Sequence, residues 1–129
     1  MTTFKSPKVK VKRSAKYLFD KFSNLNNLKE ILPDSINEFK STESTCSFKI
    51  EGLPTLKFKL DKMIPFKNIS LIAIDSQIPF TLECTINEND DVCNVLLEIN
   101  AELNMMMKIM AEKPINQLLT TLSAKITEV

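Results

Sequence analysis

The stretch Ile115-Asn-Gln-Leu-Leu-Thr-Thr-Leu-Ser-Ala-Lys-Ile126 decides how this chain folds. Ile115, Leu118, Leu119, Leu122, Ile126 and Val129 recur at i, i+3, i+4, i+7, i+11 and i+14, one apolar stripe of an α-helix. Asn104 is a fitting N-cap, so the pattern begins at Met105. Pro114 lies inside it and leaves two readings open: a kink in one long helix, or the first turn of a second. At ~1.5 Å per residue, residues 105–128 reach about 35 Å if straight, enough to cross a curved sheet.

Working back from that helix, the period of the sequence is two. Val95, Leu97, Ile99, Ala101 and Leu103 alternate with Asn94, Leu96, Glu98, Asn100 and Glu102. Asn89, Asp90 and Asp91 make a turn before them. Phe80, Leu82, Cys84 and Ile86 face away from Thr81, Glu83, Thr85 and Asn87. The run from Ile69 to Ile74 is apolar on both faces and reads as a central strand or as one covered by a partner. Leu56, Phe58 and Leu60 oppose Lys57, Lys59 and Asp61, and Cys46, Phe48 and Ile50 oppose Ser47, Lys49 and Glu51. Gly52, Leu53 and Pro54 form the turn between these last two.

Near the N-terminus, residues 4–12 read as one strand with Pro7 near its start. Ser14 caps a helix carrying Tyr17, Leu18 and Phe22. The asparagines 24, 26 and 27 break it, and a shorter helix from Leu28 to Leu32 stops at Pro33. Strands in a run with helices segregated from them predict an α+β fold. Its antiparallel sheet of about six to seven strands wraps on the long C-terminal helix, with two short helices after the first strand. A single domain over residues 1–129 is expected.

Composition removes several functions. The 129 residues contain no His and no Trp, one Gly and one Tyr. Without His, the usual acid–base residue near neutral pH and the commonest metal ligand are both missing. Three cysteines at wide spacing, Cys46, Cys84 and Cys93, form neither a zinc site nor a disulfide framework. They read as buried, reduced thiols of a cytoplasmic protein. No apolar run approaches the ~18–20 residues of a membrane span, and no signal-peptide core follows Met1. Neither metal nor cofactor is expected, and no integral membrane association.

Lys5, Lys8, Lys10, Lys12, Arg13 and Lys16 all precede the first acid, Asp20. Lys8, Lys10 and Lys12 alternate with Val9 and Val11, so they read as one face of a strand. Pairing with the face of Glu98, Asn100 and Glu102 would neutralise it. Surfaces that bind single-stranded nucleic acid interleave aromatics with such charges. Only Phe4 is nearby, so no nucleic-acid partner is expected.

The order of elements resembles the helix-grip fold of the SRPBCC superfamily, which includes START lipid-transfer domains, birch-pollen-allergen-like proteins and polyketide-cyclase-like proteins. Ser14-Ala-Lys-Tyr-Leu-Phe-Asp-Lys-Phe-Ser-Asn-Leu25 is similar to the opening helix of small bacterial members. Asn104-Met-Met-Met-Lys-Ile-Met-Ala-Glu-Lys-Pro-Ile115 is similar to the start of their closing helix. The resemblance implies a cavity between sheet and helix, used for lipophilic, lipid-like or polyketide-like ligands or, in some members, for catalysis.

The inward faces supply the candidate cavity-lining residues: Phe48, Ile50, Leu56, Phe58, Leu60, Phe80, Leu82, Cys84, Leu97 and Ile99. From the helix come Met106, Met107, Met110 and Leu118. None is charged at neutral pH, so the expected function is non-covalent binding or transport of a small hydrophobic molecule, and Phe58→Ala is expected to enlarge the pocket. A filled core would need no ligand, and the function would then be protein interaction. The enzyme alternative, a cyclase or hydrolase, has no assigned catalytic residue; its nearest candidates are Tyr17, Asp75 and Glu88. Ile72 and Ile74 would leave an apolar strip open to a second copy of the chain.

Overall fold

The computed structural model describes residues 2–34, 36–49, 55–75, 78–90 and 92–129. Ile50 and the turn at Gly52, Leu53 and Pro54 lie outside the described residues. Eight described strands form one antiparallel sheet: β1 (Thr2–Lys5), β2 (Val9–Val11), β3 (Asn37–Ser41), β4 (Thr45–Lys49), β5 (Leu56–Ile64), β6 (Asn68–Ala73), β7 (Phe80–Asn89) and β8 (Val92–Ala101). The order across the sheet is β1-β8-β7-β6-β5-β4-β3, and β2 continues the β1 edge along β8. The helices are α1 (Ala15–Phe22), a 3₁₀ helix (Leu25–Glu30) and α2 (Met105–Ile126). This is the α+β helix-grip architecture, with α2 packed across β8, β1 and β2.

The first strand differs from its expected form. Lys5 stands opposite Glu98 but Val9 opposite Val95, so one extra residue enters on the edge strand. Pro7 has no N–H to give the ladder. Ser6 compensates from a buried position, its N–H donating to Leu97 O at 2.8 Å while its Oγ accepts from Leu97 N at 3.0 Å. The register of this edge also departs from the expected charge pairing. Only Lys5 meets Glu98, while Lys10 lies opposite Asn94.

Ser14 caps α1, its Oγ accepting from Tyr17 N at 3.1 Å. The second helix begins at Leu25 rather than Leu28 and is 3₁₀, with Asn24 Oδ1 accepting from Asn26 N. β6 is central as expected, between β5 and β7. Ile72 within β6 and Ile74 just beyond it are half-buried.

With one glycine in the chain, other residues take the left-handed region: Phe66 (φ 66), Asp75 (φ 52) and Asp90 (φ 60) where the chain turns or bends, and Glu38 (φ 57) at a register shift within β3. Phe66 closes the β5–β6 hairpin, its ring edge-on to Phe19 at 5.8 Å. α2 is one helix running through Pro114. The carbonyl of Met110, which loses its i+4 donor there, belongs to an exposed turn.

Candidate ligand-binding site

The buried stripe of α2 runs through Ala111, Ile115, Leu118, Leu119, Leu122 and Ile126. Stepping back four residues from Ala111 reaches Met107, which is half-buried. Met106 and Met110 sit about 100° around the helix from their Met107 and Ala111 neighbours. They are 72% and 59% exposed, which corrects the expectation that they face the sheet.

Beneath the last turns of α2 lies an apolar void of about 40 Å³. The sheet contributes Ile69, Leu71, Leu82, Cys84 and Leu97; α2 contributes Leu122 and Ile126. Phe22 of α1 and Leu25, Leu28 and Ile31 close it from the remaining side. Of the sequence candidates, Leu82, Cys84 and Leu97 meet at this void. Phe48, Leu56, Phe58, Phe80 and Ile99 are buried and Leu60 half-buried on the same side of the sheet, but none lines it. Phe58 stacks on Phe48 at 6.0 Å between ring centroids.

The lining from the 3₁₀ helix was not anticipated, although the sequence carries its signal. Leu25, Leu28 and Ile31 recur every three residues, the period that aligns side chains on one face of a 3₁₀ turn.

Along the same seam, a larger open groove of about 880 Å³ separates α2 from the segment after the 3₁₀ helix. Pro33 and Ile36 form one bank; Ile109, Pro114 and Leu118 form the apolar part of the other. Glu112, Lys113, Asn116, Gln117, Thr120 and Thr121 give its outer lip a polar edge. The seam is tied near its far end, where Lys125 Nζ donates to Leu32 O at 2.9 Å.

The thiols are held protonated. Burial pushes Cys46 and Cys84 up to about 12, and burial together with the nearby Glu88 carboxylate raises Cys93. A protonated thiol is a poor nucleophile and a poor metal ligand. Among the described residues, no group of three Cys, Asp or Glu side chains could hold a metal ion.

The residues of the enzyme alternative lie elsewhere. Glu88 Oε1 accepts from Ala15 N at 2.9 Å, so this carboxylate caps the first turn of α1. Tyr17 lies beneath two cations, with Arg13 at 4.8 Å and Lys21 at 5.7 Å from its ring centre. Both residues border a shallow surface depression with Lys12, Arg13, Ser14 and Asp90, and neither lines the void. Asp75 is exposed, just beyond the end of β6.

No family model matches the chain, and no curated protein matches its sequence. Its structure is similar to that of TTHA0849 from Thermus thermophilus, with a TM-score of 0.73 at 8% identity over 98% of this chain and 95% of that one. CV1439 from Chromobacterium violaceum gives 0.66 at 11% identity, covering 98% and 99% of the two chains. The Aha1 dimer from Colwellia psychrerythraea gives 0.60 at 15% identity and covers both chains completely. Likeness at these identities establishes the class of fold, one shared by proteins of unrelated activity. Among the described residues no helix is long and apolar enough to cross a membrane.

Proposed function

We propose that the chain is a START-like domain of the SRPBCC superfamily, spanning residues 1–129, that binds a small hydrophobic molecule without covalent attachment, metal or cofactor. The observation that carries this reading is the void beneath α2, which has a wholly apolar lining and lies on the same seam as an open groove. A void of about 40 Å³ holds little more than a water-sized group, so a ligand enters by parting the seam. Leu82, Cys84, Leu97 and Leu118 meet it first. Phe48, Leu56, Phe58, Leu60, Phe80 and Ile99 continue the apolar face and limit how far the void expands. Three free cysteines suit a reducing, cytoplasmic setting. The Aha1 protein of similar fold, solved as a dimer, supports self-association as a further property.

Native mass spectrometry of gently purified protein tests the reading. A discrete apolar passenger, released on denaturation and excluded by Leu97→Trp, is the expected result. A bare chain, even after incubation with a mixed lipid extract, overturns it and leaves the core as simply filled.

A further inference from the structure

We infer that the first two turns of α2 are the docking surface for a second copy of this chain. Met105, Met106, Ile109 and Met110 are 81%, 72%, 71% and 59% exposed. Together these side chains present on the order of 500 Å² of apolar surface, at the upper end of what soluble monomers leave uncovered. The buried stripe of the same helix is already satisfied by the sheet, so this is a second apolar face.

The charges around the patch select its occupant. Glu102, Lys108, Glu112 and Lys113 are exposed, two of each sign, and none is in an ion pair among the described residues. Helices that lie on anionic membranes carry an excess of Lys and Arg on their polar face, which this rim lacks. The same balance gives nothing to a polyanion. A balanced rim around an apolar centre is self-complementary under a two-fold axis. Antiparallel packing lays Met106, Ile109 and Met110 of one copy on those of the other and brings lysines of each toward glutamates of its partner. The apolar centre falls short of the roughly 800 Å² per partner of a standard interface. The stems of the rim residues supply the remainder, and the dimer is weak and concentration-dependent.

Sedimentation velocity and light scattering from low micromolar to near-millimolar protein test this. The expected result is a shift from one chain to two with rising concentration. Ile109→Glu, placed on an exposed turn where it leaves the core intact, weakens the dimer at least about thirtyfold, as loss of a central contact does. Lys108→Glu with Lys113→Glu weakens it as well. Mixing that variant with one carrying Glu102→Lys and Glu112→Lys restores a heterodimer. Thermal melts of each variant verify the fold. Three results overturn the inference: a single chain at every concentration, a dimer that Ile109→Glu leaves intact, or a monomer that these residues attach to phosphatidylglycerol vesicles instead.

Discussion

Lys125 Nζ and the carbonyl oxygen of Leu32, 93 residues apart in the chain, form a 2.9 Å hydrogen bond across the seam between α2 and the end of the 3₁₀ helix. On the proposed reading, this bond ties together the two elements that an entering ligand would part. Its donor is charged and partly buried, and removing it leaves the carbonyl without that partner. Lys125→Met keeps the aliphatic stem and deletes the charge. The variant is expected to lose about 1–2 kcal/mol in urea titration, less than a fully buried charged bond because solvent reaches the pair. It should also take up an apolar probe such as a naphthalene-sulfonate dye faster than the parent protein. Unchanged uptake would separate this bond from access to the void.

The three thiols make stability fall at alkaline pH. In the folded chain Cys46 and Cys84 are pushed up to about 12 from an ordinary value of 9.0, and Cys93 is raised as well. Between those limits the unfolded chain has released thiol protons that the folded chain retains. The unfolded state therefore binds fewer protons, and unfolding becomes easier as pH rises. Each such thiol contributes at most about 1.4 kcal/mol per pH unit. Urea titrations from pH 8 to about 10 should show the decline, below the range where lysines dominate. Cys46→Ala with Cys84→Ala should flatten it. At pH 8 neither Cys46 nor Cys84 should react with iodoacetamide until the protein unfolds.

Leu97 and Phe58 are both buried on the inner face of the sheet, yet their removal should have different consequences. Leu97 lines the void. Leu97→Ala extends that void toward the ~150 Å³ that accepts a benzene-sized guest. It should cost about 2–5 kcal/mol, part of which a small aromatic ligand restores in a thermal-shift assay. Phe58 packs on Phe48 away from the void. Phe58→Ala should cost about 3–5 kcal/mol and open a separate cavity beside Phe48 rather than enlarge the void itself.

Much of this architecture was legible because the hydrophobic pattern is clean where one face meets the core. Leu56, Phe58 and Phe80 through Ile86 alternate as half-buried strands do, and Ile115 through Ile126 hold a helical stripe. The readings that failed lie where that pattern ceases to be informative. Met105, Met106, Met107, Ile109 and Met110 are apolar on several sides of one helix, so composition cannot say which side is buried; only phase inherited from Ala111 and Ile115 does. The bulge at Ser6 depends on a side chain replacing a backbone ladder bond, which periodicity does not register. The contribution of Leu25, Leu28 and Ile31 to the void escapes a search at the α-helical period, because a 3₁₀ turn repeats every three residues.

Glu38 and Phe66 share a left-handed backbone, φ 57 and φ 66, that would cost glycine nothing. Such a conformation costs an ordinary residue about 1–2 kcal/mol. At Glu38 the side chain is exposed, at the register shift between β3 and β4. Glu38→Gly therefore removes strain and little packing. It should stabilise the chain by roughly 0.5–1 kcal/mol after the added freedom of the unfolded glycine is subtracted. At Phe66 the same relief is offset by the lost edge-on contact with Phe19, worth about 0.5–1.5 kcal/mol beyond simple burial. Phe66→Gly should therefore be neutral or destabilising. Parallel urea titrations distinguish the two: equal gains at both positions would mean that the Phe19–Phe66 contact contributes nothing.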